Sequence, residues 1–111
     1  MLNELKEKIE SFGYPVEYGQ CMEDYDTWDY FVFGRRNVSK ERNDFKTKYF
    51  VAIVRENFIP ENFEIDVIKK VEEIKGLKFT NEAMYEYTKS RKTDHVVEIL
   101  VLEFAKIKRS C

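Results

Sequence analysis

The sequence predicts an α+β domain in which two helices pack on one face of a mostly antiparallel sheet, in the order α-β-β-β-α-β-β. Apolar residues recur at helical steps in two separate stretches, Leu2-Leu5-Ile9-Phe12 and Phe63-Val67-Val71-Ile74. Two other stretches, residues 49–54 and 96–107, are apolar on both faces and rich in β-branched side chains, as strands inside a sheet are. With 111 residues the chain has room for one core, so residues 1–111 read as a single domain.

The first helix (about residues 2–12) has an apolar stripe of Leu2, Leu5, Ile9 and Phe12, with Lys6, Glu7, Lys8 and Glu10 filling the rest. Gly13 and Pro15 stop it, because glycine tolerates the left-handed position after a helix and proline cannot continue one. Glu17, Gln20 and Glu23 then alternate with Val16, Tyr18 and Met22, the pattern of an edge strand. Residues 23–29 read as an acidic loop, and residues 30–33 as a short aromatic strand. Residues 34–48 show no helical period and carry six basic side chains against two acidic ones, and are expected to form a long, partly mobile hairpin tip.

Residues 49–54 form the central strand. Pro60 suits the first turn of the second helix (about 61–75), which carries Phe63, Val67, Val71 and Ile74 on one face and ends at Gly76. Residues 77–88 place Leu77, Phe79, Ala83, Tyr85 and Tyr87 at odd positions of a strand. A polar turn leads to the longest strand, residues 96–107. There Val97, Ile99 and Val101 face one way and Val96, Leu100, Leu102 and Phe104 the other, so it belongs mid-sheet. Lys106, Lys108 and Arg109 make a basic tail. The expected core is Leu5, Ile9, Ile53, Val67, Val71, Leu100 and Leu102.

Charge is abundant and balanced, 19 basic residues against 21 acidic for a net charge of −2, which argues against a sequence-specific nucleic-acid binder. Aromatic residues reach 15%, enough ring surface to fill a core or to spill onto a face that another protein covers. Cys21 and Cys111 fit no metal or redox spacing and read as free thiols in a reducing compartment. No apolar run approaches the roughly 18 residues of a membrane span, and the first ten residues lack the apolar core of a signal peptide. A soluble, intracellular protein without membrane contact is expected.

No catalytic constellation emerges. His95 is the only histidine and has no second histidine to share a metal, and Cys21 has no identifiable activating partner. Glu23, Asp24, Asp26 and Asp29 could offer oxygens to a hard cation, but lack the glycine and distal glutamate of an EF-hand loop, so a solvated loop is the simpler reading. Gly13, Gly19 and Gly34 form no phosphate-cradling spacing. The expectation is a non-enzyme with no cofactor and no metal.

The charges do separate along the chain. Residues 23–29 carry only acids, while residues 35–48 are dominated by Arg35, Arg36, Lys40, Arg42, Lys46 and Lys48. Two ordinary solvated loops would explain this. The functional alternative is that one subunit's acidic loop meets the next subunit's basic hairpin, head to tail, with Asp24, Asp26, Asp29, Arg35, Arg36 and Arg42 as the interface residues.

Four segments carry a family resemblance: the opening helix running into Gly13-Tyr14-Pro15-Val16-Glu17-Tyr18-Gly19; Trp28-Asp29-Tyr30-Phe31-Val32-Phe33-Gly34-Arg35; Tyr49-Phe50-Val51-Ala52-Ile53-Val54-Arg55-Glu56-Asn57 before the Pro-started helix; and the terminal strand Val96-Val97-Glu98-Ile99-Leu100-Val101-Leu102-Glu103-Phe104. Together they resemble the small neck and tail-completion proteins of long-tailed phages and prophages of Gram-positive bacteria. The resemblance spans nearly the whole chain, and its motifs are strand and turn patterns, not catalytic signatures. It implies a tail terminator or head–tail joining protein that assembles into a six-fold ring, is monomeric in solution until then, and contacts tail-tube and head-connector proteins. Such a protein resides in the host cytoplasm during assembly and then in the virion neck. A stand-alone protein-binding or inhibitor module is the alternative.

Overall fold

The computed structural model describes residues 1–19, 29–42, 44–89 and 95–109. Two helices, α1 (Leu2–Glu10) and α2 (Phe63–Val71), accompany five strands: β1 (Val16–Tyr18), β2 (Tyr30–Glu41), β3 (Asp44–Glu56), β4 (Leu77–Lys89) and β5 (Val96–Arg109). The strands form one sheet in the order β1-β2-β3-β5-β4. Among the described residues only the β1–β2 pair is parallel; the other three pairings are antiparallel. The α+β class and the α-β-β-β-α-β-β order are those the sequence predicts.

Helix α1 ends as its sequence requires: Gly13 takes φ +86° and its N–H reaches the Glu10 carbonyl at 3.0 Å, satisfying one of the helix's last acceptors. Helix α2 is shorter than expected. Pro60 lies outside it, its carbonyl accepting the Phe63 N–H at 3.1 Å, while Asn62 occupies the left-handed region at φ +68°. Lys8 on α1 bonds Glu73, just beyond α2, at 2.9 Å and ties the two helices together.

Both helices cover the same face of the sheet. That face carries Phe31 and Phe33 from β2, Tyr49, Val51 and Ile53 from β3, and Leu100, Leu102 and Phe104 from β5, which join Leu5, Ile9, Val67 and Val71 in one buried cluster. All seven expected core residues are fully or almost fully buried. A ring cluster of Phe12, Tyr14, Phe31 and Phe63, with centroids 5.4–6.3 Å apart, closes this layer near β1. Ala52, Val54 and Val97, on the opposite face, are buried as well, which agrees with the two-sided apolar character of β3 and β5.

The sheet reaches well past the helices. The molecule measures 53 × 26 × 23 Å, and its long dimension reflects strands of 12 to 14 residues beside helices of nine.

Candidate functional site

Residues 35–48 form a hairpin, but the flanking strands run further into it than residues 30–33 and 49–54. They continue β2 and β3 in regular register, from Asn37↔Lys48 through Lys40↔Phe45 to Glu41↔Asp44, around a tight turn in which Arg42 adopts φ +55°. The end of the chain is likewise no free basic tail. β5 pairs with β3 as far as Thr47↔Lys106, Phe45↔Lys108 and Asp44↔Arg109. The three strands form a projecting arm along which Arg35, Arg36, Lys40, Arg42, Lys46, Lys48 and Lys106 outnumber Asp44 and Glu103.

The root of the arm is braced on the face opposite the helices. A register shift between Arg35 and Asn37 turns Arg36 toward that face, where its guanidinium lies 5.4 Å from the Phe50 ring centre and 3.6 Å from Glu103. Lys48 meets the same carboxylate at 3.1 Å. Gly34 permits this packing: a Cβ there would stand 2.9 Å from the Phe50 ring.

The predicted interface residues divide accordingly. Asp24 and Asp26 lie outside the described residues, as do Cys21 and Cys111. Asp29 is engaged within the molecule: its Oδ1 accepts the Glu56 N–H at 3.4 Å and lies 3.4 Å from Arg55 Nε. Arg36 is engaged by Glu103, which makes it a brace for the arm. Arg35 and Arg42 remain exposed, Arg35 donating to the Tyr18 hydroxyl at 3.4 Å beside a cleft of about 450 Å³ lined by Met1, Leu2, Asn3 and Tyr49. Lys40 lies over the Phe45 ring at 5.6 Å, and Val38 is exposed beside them. Among the described residues Arg35, Lys40, Arg42, Lys46 and Lys106 form no ion pair.

Sequence reasoning missed a second surface at the far edge of the sheet. β4 was legible as a strand, but not that residues 81–89 are exposed throughout, with Met84 at 66% and Tyr87 at 63% accessibility. A bulge lies between Phe79 and Ala83, where Asn81 sits at φ +68°. Tyr85 and Tyr87 face the helix side, and with Phe58, Pro60, Glu64 and Glu98 they line a cleft of about 330 Å³. Glu98 also accepts the Ile59 N–H at 2.8 Å. Desolvation, with the charges of Glu64 and Glu98, raises the Tyr85 pKa above the ordinary tyrosine value. The Tyr87 pKa is raised first by its hydrogen bond to Glu98. Glu64, Glu82 and Glu86 form no ion pair among the described residues.

Elsewhere, His95 is exposed with Nδ1 3.3 Å from Glu56. Among the described residues no group of three His, Cys, Asp or Glu side chains could hold a metal ion, and no helix is long and apolar enough to cross a membrane. No protein-family model and no curated protein matches the chain.

Proposed function

We propose that this chain is a structural assembly protein of a long-tailed phage or prophage, a tail terminator or head–tail joining component that works through ring assembly and protein–protein contacts. The observation that carries the reading is the pair of unlike surfaces at opposite edges of one sheet, a basic arm and an acidic, aromatic strand edge. A subunit that contacts its neighbours head to tail needs two different patches, whereas a closed two-fold dimer needs only one. The phage-like strand and turn pattern supplies the context. The function is then geometric: the ring stops tube polymerisation and presents a docking surface to the head connector. The protein works in the host cytoplasm during assembly and afterwards in the virion neck.

Deleting the gene and complementing it in trans tests this. Loss of the protein should leave heads and tails unjoined or tubes of unregulated length, and wild-type protein should restore virions. Complementation by His95→Gln and Cys21→Ser proteins should match the wild type. Intact virions from the deletion strain would refute the reading. They would favour instead a stand-alone binding module, for which the exposed Phe58, Tyr85 and Tyr87 provide the contact surface.

A further inference from the structure

Two strand edges of this sheet lack a neighbour among the described residues. β4 ends the sheet on one side. On the other, β1 covers β2 only from Phe31 to Phe33, so residues 35–41 of β2 present their outer edge unpaired. Unpaired backbone edges bind other strands readily, and proteins that avoid such pairing usually keep exposed edges short or protected by basic side chains. Here the two edges are of comparable length and unlike in charge. Residues 81–88 of β4 carry Glu82 and Glu86 and no basic residue, with Glu64 nearby across the cleft. The arm carries Arg35, Lys40 and Arg42, none of them in an ion pair among the described residues.

We infer that the occupant of the β4 edge is a second copy of this chain, whose β2 arm pairs with it so that the sheet runs on from subunit to subunit. This rests on the ring-assembly reading and names its contact. The three antiparallel pairings between β2 and β4 make these two strands run in opposite directions within the sheet. In a continuous sheet, β4 of one copy therefore meets β2 of the next antiparallel. The helix-covered faces then stay on one side. Tyr85 and Tyr87, which share that face, adjoin Val38 and Lys40, which share it on the arm through their pairing with Thr47 and Phe45. Exposed rings and a valine supply apolar contact, Lys40 gains aromatic neighbours, and the acidic edge steers the basic arm into register. Asp29 is held by Arg55 within the molecule and takes no part in this contact.

The test uses the full chain and three proteins, with circular dichroism confirming the fold of each. One variant reverses the edge (Glu82→Lys, Glu86→Lys) and another reverses the arm (Arg35→Glu, Lys40→Glu, Arg42→Glu). Arg36 is left alone because it braces the arm. Mass is followed by analytical ultracentrifugation up to about 1 mM, the range of weak association. Wild type should associate, each variant alone should do so about tenfold or more weakly, and an equimolar mixture of the two should recover association. If an arm-reversed protein folds poorly, the neutral triple variant Arg35→Ala, Lys40→Ala, Arg42→Ala replaces it and should also weaken association. Oligomers formed equally well by all proteins would overturn this contact while leaving ring assembly standing. If the wild type stays monomeric at the highest concentration, the same variants are read by complementation of the deletion, and virions restored in full by each variant alone would overturn this contact. A monomeric protein whose arm binds duplex DNA, with affinity lost on arm reversal, would assign the arm to nucleic acid instead.

Discussion

Replacing Leu100 by alanine probes the register on which both surfaces depend. Leu100 is 0% exposed and sits mid-strand in β5, paired with Ile53 of β3 on one side and Tyr85 of β4 on the other. Truncation removes buried apolar surface and leaves a cavity that the long flanking strands cannot close, so the cost is about 2–5 kcal/mol. A domain of this size has a total stability of roughly 5–15 kcal/mol, so the change is large but survivable. With a urea m-value of about 2 kcal/mol/M, a loss near 3 kcal/mol lowers the midpoint by about 1.5 M, and Tm falls by more than about 10 °C. Val96, in the same strand and 51% exposed, is the control: Val96→Ala should cost under about 1 kcal/mol. Urea unfolding followed by circular dichroism measures both. A loss below about 1 kcal/mol at Leu100 would refute the central placement of β5. Val96 and Leu100 share one face of β5, so equal losses at the two positions would refute the fall in burial along that face, from Leu100 in the core to Val96 at its margin.

Two further predictions concern the arm and the edge. Glu103→Ala strips the carboxylate that Arg36 and Lys48 share, leaving two cations to repel each other at the arm's root. Stability should fall by about 1–3 kcal/mol, with amide exchange quickening across residues 35–48; unchanged protection there would show that the arm does not depend on this brace. Tyr87 donates to the Glu98 carboxylate, which favours the neutral phenol and raises the folded pKa above the unfolded value. The stability this adds is present in full below about pH 10 and is lost as pH rises through the raised folded pKa. Glu98→Gln should shift the Tyr87 ionisation, read from tyrosinate absorbance against a Tyr87→Phe control, to lower pH, and an unmoved titration would remove the bond.

Wherever one face meets the helices and the other meets buried side chains, the sequence pattern was sufficient. Leu5 and Ile9, Val67 and Val71, and Leu100 and Leu102 are legible because burial forces a period on their spacing. The same logic explains the errors. Residues 35–48 and 108–109 lie beyond the strands that alternation marked, yet β2 and β3 pair in unbroken register from Asn37↔Lys48 to Glu41↔Asp44 and β5 follows them to Asp44↔Arg109. What holds the arm is backbone bonding plus a few specific contacts at Gly34, Phe50, Arg36 and Glu103, and such contacts become visible only when the strands are set side by side. β4 shows the converse. Tyr85 and Tyr87 kept the alternation of a core strand, but β4 is the end strand of the sheet and both rings stay exposed. Periodicity therefore concealed the edge's exposure and missed the arm's order, for one physical reason: both segments lie where this chain's own core ends. Apolar rings that keep a core-like spacing without a core, and opposite strands that keep their pairing without one, are the two features on which the proposed contact between copies rests.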